Sequence, residues 1–287
     1  MLSNSRPHVS VIIVNHYTDD ILPDCLSAVA GNKHALSVEV IVVDNPAVEN
    51  IEKSDDYPGM SVRRITARRR LGFGAACNLG VTHSAGRYIL LLNPDVVLDV
   101  DAISRLHAVM TGADRVGITV GRLVGADGRF QPSCRRFPTL TNLIFSRGSV
   151  LRALSRSERG KYTLPDYDDV TQVDAAAAAM MMIPRELFDR VGGFDESFFM
   201  YMEDTDLCRR VAENGHKVLY VPQASGRHLW GYSTARYRFR RILWHHRSLW
   251  IYFAKHRRSP ATLPILAPAL AVNCFLSLLL ELLTLRR

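Results

Sequence analysis

The sequence contains no CxxC pair. Its five cysteines, Cys25, Cys77, Cys134, Cys208 and Cys274, are scattered, so neither a disulfide framework nor a thiolate zinc site is indicated and a reducing cytosol fits. Acidic charge is also in short supply, with 28 Asp and Glu against 36 Lys and Arg, a formal charge of +8. That balance points to a polyanionic partner, whether phosphate, anionic lipid or nucleic acid, and sign alone does not choose among them. Internal repeats and low-complexity linkers are absent. The first apolar run, Val9 to Val14, is too short for the core of a signal peptide and gives way at once to polar residues, so no leader is expected. What remains is a chain of 287 residues, 47% hydrophobic and 22% charged, enough for one large domain or two small ones with a proper core.

Strand and helix patterns alternate through the first hundred residues. Val9 to Val14 and Val38 to Val43 are β-branched runs, each ending in polar residues, and Leu22 to Val29 between them has helical spacing. A small-residue helix is expected over Gly74 to Ser84, then a strand from Tyr88 to Leu92 that stops at Asn93-Pro94-Asp95. This rhythm implies a doubly wound α/β layer with ligands at the carboxyl ends of its strands, where Asn15, Asp44 and Asp95 fall. After about residue 101 the alternation loosens, and Gly121 to Gly160 reads as Gly-rich and Arg-rich loops. The run Asp174 to Met182 (DAAAAAMMM) reads either as a buried segment that lets a backbone or ligand come close, or as plain helix propensity.

The residues that could carry chemistry each have a structural alternative. Between Val191 and Cys208 (VGGFDESFFMYMEDTDLC), the carboxylates Asp195, Glu196, Glu203 and Asp204 precede a helix, with Asp206 in its first turn. Acids complement a helix N-terminus, yet that does not explain why Phe198, Phe199, Tyr201 and two methionines crowd them. Gly72-Phe-Gly74 starts like a dinucleotide fingerprint, but Cys77 replaces its third glycine, which disfavours a nicotinamide site. Its glycines still admit a nucleotide near a helix N-terminus, with Arg68 to Arg70 adding charge or forming a solvated face. Asp44 suits either the N3–H of a pyrimidine or a turn, and Asp95 either a divalent cation or an Asn-Pro-Asp turn. His228 completes a Mn or Mg shell or is structural. Arg135 and Arg136 suit a diphosphate or cap a surface loop, and Trp230 lines a sugar cleft or the core.

Taken in order, VSVIIVNHY, VVDN, GFGAACNLG, LLLNPDV, VGGFDESFFMYMEDTDLCRR and a following His resemble the inverting glycosyltransferases of family 2, nearest the rhamnosyltransferase-like branch, over roughly residues 7 to 250. The resemblance implies a GT-A fold, a Rossmann-like mostly parallel sheet flanked by helices. It implies Asp204 as catalytic base with Glu203 as helper, and Asp95 with His228 as the contacts for Mg or Mn. It supports Asp44 as a base-binding residue, and with the residues read above the expected nucleotide-sugar set is Asn15, Asp44, Asn45, Gly72, Gly74, Asn78, Asn93, Arg135 and Arg136, with Tyr201 and Trp230 toward the acceptor. Asn93 departs from the pattern, standing where a full DxD has its first Asp. The expected donor is a nucleotide-diphospho-sugar, on family grounds dTDP-rhamnose, and the acceptor a glycan or polyprenyl-diphosphate-linked sugar of cell-surface polysaccharide synthesis. Two rival readings are an inactive nucleotide-sugar-binding or scaffold subunit and, behind it, a nucleic-acid-binding protein, against which stands the absence of any recognised module.

The expected division is a glycosyltransferase domain over residues 1–235, with a nucleotide-sugar half to about 100 and an acceptor half beyond, and a helical tail over 236–287. Arg236 to Arg258 interleaves basic and aromatic residues as a helix on an anionic membrane face does, and Leu263 to Leu285 is apolar and long enough to span. Pro264, Pro268, Asn273 and Glu281 interrupt it, so a monotopic or re-entrant helix, or one packed on the domain, competes with a full span. The chain is expected at the inner face of the cytoplasmic membrane, attached peripherally or monotopically.

Overall fold

In the computed structural model, residues 7–32, 36–45, 54–57, 60–139, 162–229, 237–256 and 262–284 are described. The first half runs β1 (Val9–Asn15), α1 (Leu22–Gly31), β2 (Val38–Asp44), β3 (Ser54–Tyr57), β4 (Met60–Thr66), α2 (Phe73–Thr82), β5 (Tyr88–Leu92), β6 (Val96–Leu98), α3 (Ala102–Gly112) and β7 (Val116–Val124). The second half adds β8 (Cys134–Arg135), β9 (Thr171–Val173), β10 (Ala175–Ala176), β11 (Met180–Pro184), α4 (Arg185–Arg190), α5 (Glu203–Glu213), β12 (Lys217–His228), α6 (Arg238–His256) and α7 (Thr262–Thr284). Among the described residues ten strands form one sheet, ordered β3-β4-β2-β1-β5-β11-β7-β12-β6 with β9 on β12. Neighbours from β4 to β5 are parallel, as are β7 and β12, while β11 runs antiparallel between β5 and β7.

The apolar strands are continuous because both faces of the sheet are covered. Alternate residues divide between the faces. Val9, Val11 and Ile13 pack with Val40, Val42, Leu90 and Leu92 beneath α1 and α3. Ile12, Val14, Ile41, Val43, Ile89 and Leu91 pack on the other side against Val81 of α2 and Leu207 and Val211 of α5. Gly80 permits the approach of α2, since a Cβ there would lie 2.5 Å from Ile12 Cγ2 and 3.0 Å from Val43 Cγ2.

Register then gathers polar residues at one edge. Asn15 is paired with Asp44 across β1 and β2, β5 ends beside the start of β11 through Leu92 and Met180, and β6 lies antiparallel on β12 with Val96 opposite His228. Asp95 and His228, remote in sequence, are thereby neighbours.

Two expectations are corrected. The alanine run is not helical: Ala175–Ala176 and Met180–Pro184 are strands, because burial among sheet neighbours outweighs the helix preference of alanine. Gly121 is not in a loop but in β7, where its missing Cβ leaves room for Met180 Sδ. Most of the expected loop region, residues 140–161, lies outside the described residues.

The tail is helical as expected, and α6 is not detached. Its Leu249, Tyr252 and Phe253 form a third apolar cluster with Phe198, Met202 and Leu266. Helix α7 packs on α6 through the two polar residues that interrupted its apolar pattern: His246 Nε2 lies 2.9 Å from Asn273 Oδ1, and Arg238 Nε donates to Glu281 Oε1 at 2.5 Å.

The α2 packing gives a direct test. Gly80→Val forces two methyl groups into Ile12 and Val43, and overpacking of this kind costs about 1–3 kcal/mol. A thermal midpoint well below wild type is expected, and an unchanged midpoint would show that α2 sits farther from the sheet.

Candidate active site

A cleft of about 460 Å³ opens at the polar edge of the sheet. One wall is the start of α5, whose Glu203 and Asp204 both line it and are both nearly buried. Asp204 Oδ2 accepts from Arg135 Nη2, and its Oδ1 accepts from the Thr205 backbone N–H at 2.6 Å and Thr205 Oγ1 at 3.2 Å. Oδ2 keeps capacity for a further donor, while Oδ1 is already met by two. Glu203 differs: its Oε2 is buried with no hydrogen-bond partner. Burial, then the charge of Asp204, pushes its pKa up to about 8.

Elsewhere in the lining Asp95 Oδ1 stands 3.3 Å from His228 Nε2. Gln131 sets the imidazole, with its Oε1 3.0 Å from Nδ1 and its Nε2 donating to the His228 carbonyl at 3.0 Å. An amide oxygen only accepts, so Nδ1 donates to Gln131 and the ring turns its Nε2 toward the carboxylate. The pair brings one carboxylate oxygen and one imidazole nitrogen together on the cleft. Asn93 also lines the cleft, its backbone carbonyl accepting from Val96 N–H at 3.1 Å.

The other expected residues distribute unevenly. Asn45 lines the cleft and is fixed by both backbone groups of Leu71, at 2.9 and 3.0 Å. Asp44 lies behind it, gripped by Arg64 through Nε at 2.9 Å and Nη2 at 2.6 Å, and by Asn15 Nδ2 at 2.6 Å. Asn15 and Asp44 are not in the cleft lining, nor are Gly72, Gly74, Asn78 and Arg136. Gly72 lets Phe199 O approach, where a Cβ would meet it at 2.5 Å, and Gly74 does the same for Phe194 at 2.8 Å. Asn78 clasps the backbone of Phe194 through Nδ2 and Oδ1, both at 2.9 Å. The glycine segment is thus the seat of the acidic segment. Arg136 is exposed, and Trp230 lies outside the described residues.

The crowding of aromatics around the acids has a cause. Phe198 and Met202 are core for α6, while Phe199 meets Trp244 and Tyr201 meets His245. Tyr201 and Met202 are consecutive left-handed residues, φ 68° and 70°, immediately before Glu203. Such positions cost about 1–3 kcal/mol each and cluster at functional turns. Asp195 and Asp206 serve α6: Lys255 reaches both, at 2.5 and 2.9 Å. Burial would raise the Asp195 pKa, but the bonds from Lys255 and Ser197 dominate and hold it at about 2.

Sequence reasoning missed Arg64, Gln131 and His245 as site residues. His245 and Leu249 bring α6 into the cleft wall. Its surroundings, then His246 and Arg135, hold the His245 pKa down at about 4, so it is neutral there. Only the HHR spacing within an amphipathic pattern hinted at it.

A family model described as "Glycosyltransferase like family 2" matches residues 7–260. The chain is 28% identical over 234 residues to the N-acetylglucosaminyl-diphospho-decaprenol L-rhamnosyltransferase of Mycobacterium tuberculosis (strain CDC 1551 / Oshkosh), covering 76% of this chain and 75% of that one. It is 27% identical over 260 residues to rhamnosyltransferase WbbL of Escherichia coli (strain K12), covering 87% and 94%. In fold it resembles GalNAc-T7, crystallised with UDP, GalNAc and Mn2+, at a TM-score of 0.55 and 17% identity. That match covers 79% of this chain, which spans 44% of the other. The mostly parallel sheet and its helices are therefore a GT-A fold.

Glu203 gives a test by titration. With its pKa raised, the folded chain keeps a proton that the unfolded chain has released, so stability falls as pH rises from 4.5 to about 8. Glu203→Gln removes that slope. Its thermal midpoint relative to wild type is expected to climb across this window and to level off above it, and parallel curves would refute the assignment.

Proposed function

The chain belongs to the glycosyltransferase like family 2, and from that premise we propose that it moves a sugar, with inversion, from a nucleoside-diphosphate donor to a hydroxyl of a glycan or lipid-linked acceptor. The observation that carries this reading is that two unlike pairs line one cleft, Asp204 with Arg135 and Asp95 with His228. Inverting transfer is an in-line displacement at the anomeric carbon. It needs a base for the acceptor hydroxyl and charge stabilisation for the leaving diphosphate.

Asp204 is the base in this reading. Arg135 and Thr205 hold its carboxylate in place, and a spare lone pair on Oδ2 accepts the hydroxyl proton. Glu203, neutral below about pH 8, donates a hydrogen bond to a sugar oxygen rather than competing for the proton. A single displacement needs one base, so the two acids are not a hydrolase pair. His245 and Tyr201 line the acceptor side.

The other pair suits Mg or Mn. Among the described residues no cluster of three or more His, Cys, Asp or Glu stands ready to hold a metal. Asp95 and His228 offer one carboxylate oxygen and one imidazole nitrogen, a donor set that fits either cation when diphosphate oxygens and water complete the shell. A cation bound there would supply Lewis-acid stabilisation of the leaving group. Gln131 keeps Nε2 aimed at it. The two rhamnosyltransferase relatives support L-rhamnose, with dTDP-rhamnose as donor and a polyprenyl-diphosphate-linked glycan of the cell surface as acceptor.

Asp204→Asn is expected to lower turnover by about 10²–10⁴-fold while donor binding, read by calorimetry against a panel of nucleotide sugars, stays as in wild type. Near-normal turnover would remove Asp204 from the role. A wild-type chain that binds donor and never transfers would favour the non-catalytic reading.

The tail supports work at the inner face of the cytoplasmic membrane. The window Leu266–Leu283 is long and apolar enough to cross a membrane, with mean hydropathy 2.0 and 6% of it buried. Asn273 and Glu281 turn toward α6, leaving Val272, Phe275, Leu280 and Leu283 more than half exposed, at 59%, 66%, 61% and 51%. This face and the arginines of α6 suit the surface of an anionic bilayer. The intact chain is expected to float with anionic liposomes. Full solubility at low salt without detergent, and no flotation, would sink the assignment.

A further inference from the structure

The guanidiniums near the cleft are nearly all spoken for. Arg64 forks onto Asp44, and Arg135 pairs with Asp204. Arg70 also lines the cleft, yet among the described residues it makes neither an ion pair nor a hydrogen bond. Three aromatic rings hold it instead. Its guanidinium carbon lies 4.4 Å from the centroid of Tyr237, 5.2 Å from Trp244 and 5.4 Å from Phe199.

These rings come from separate parts of the fold: Tyr237 and Trp244 from the start and body of α6, Phe199 from the acidic segment seated on Gly72. Tyr237 is itself fixed, stacked on His16 at 5.7 Å with its hydroxyl 3.1 Å from His16 Nε2. Aromatic faces hold a guanidinium plane without using its N–H donors, which point outward along its edge. A carboxylate partner would have spent them. Arg70 is therefore a positioned cation whose donors remain available, in a cleft where its neighbours are neutralised.

We infer that Arg70 is an anion subsite that takes a phosphate or diphosphate group in its guanidinium fork without a metal. The fork matches oxyanion geometry bidentately. Two molecules in the proposed reaction carry that group, the nucleoside-diphosphate donor and a diphosphate-linked acceptor. The inference rests on the proposed function only for the source of the anion.

The test is calorimetry of the full chain with inorganic pyrophosphate, with EDTA present so that Asp95 and His228 cannot recruit a cation. Arg70→Gln is expected to weaken pyrophosphate binding about 10- to 100-fold, and Arg70→Lys, which keeps the charge, to lose distinctly less. Competition in the wild type then assigns the source, a nucleoside diphosphate in one arm and a prenyl-diphosphate sugar in the other, and displacement by either supports the subsite. The inference is overturned if wild type does not bind pyrophosphate under EDTA, if Arg70→Gln binds as wild type does, or if neither competitor displaces the anion. Equal loss in both variants with lowered thermal midpoints also overturns it, because the stack would then be purely structural. Transfer is never measured, so a chain that binds pyrophosphate through Arg70 but moves no sugar refutes the proposed reaction and leaves the subsite standing.

Discussion

A carboxylate with no exposed side-chain surface, Asp206, holds the acidic wall of the cleft to the rest of the molecule. It lies in the first turn of α5, and Arg210 of the same helix meets it at 2.7 Å while Lys255 and His256 of α6 meet it at 2.9 and 2.7 Å. A buried charge left unpaired costs several kcal/mol, so these partners are obligatory. Burial alone would raise the Asp206 pKa, and the hydrogen bond from His256 with the charges and bonds of Arg210 and Lys255 more than reverse this and lower it. Because Asp206 is fully engaged behind the wall, α5 presents Glu203 and Asp204 to the cleft. One helix turn thereby separates acids of different work.

The same economy governs the carboxyl ends of β1 and β2. The strand-end residues Asn15 and Asp44 are bonded to each other and to Arg64 before any ligand arrives, so that edge is preorganised. At the Asp95 corner Gln131 sets the orientation of the His228 imidazole beside the carboxylate.

Much of this was legible in residue order. β1, β2 and β5 are β-branched or leucine runs whose polar ends fall where a parallel sheet puts them, and the acids of VGGFDESFFMYMEDTDLC announced a wall. What escaped notice depended on contacts between distant segments. β4 reads MSVRRIT, with arginines inside the strand, and nothing local marks Arg64 as the clamp of Asp44. Gly72 and Gly74 suggested a nucleotide's approach, whereas their surroundings show close packing of Phe199 and Phe194. The basic-aromatic spacing of α6 matched a membrane helix, and spacing could not reveal that His245 and Leu249 turn into the cleft. Asn273 and Glu281 counted against an apolar α7 until their partners on α6 were seen.

The paired left-handed residues Tyr201 and Met202 bear on how the site holds its shape. A turn in that conformation relaxes when nothing restrains it, and its restraint is the Met202 side chain wedged among Phe198, Leu249 and Tyr252, together with the bond from Ser248 to the Met200 carbonyl at 2.9 Å. The catch on this sprung turn is therefore α6. A chain shortened before α6 would retain every acid of the wall and lose their aim, so the apparent appendage is the part that keeps the reactive end cocked.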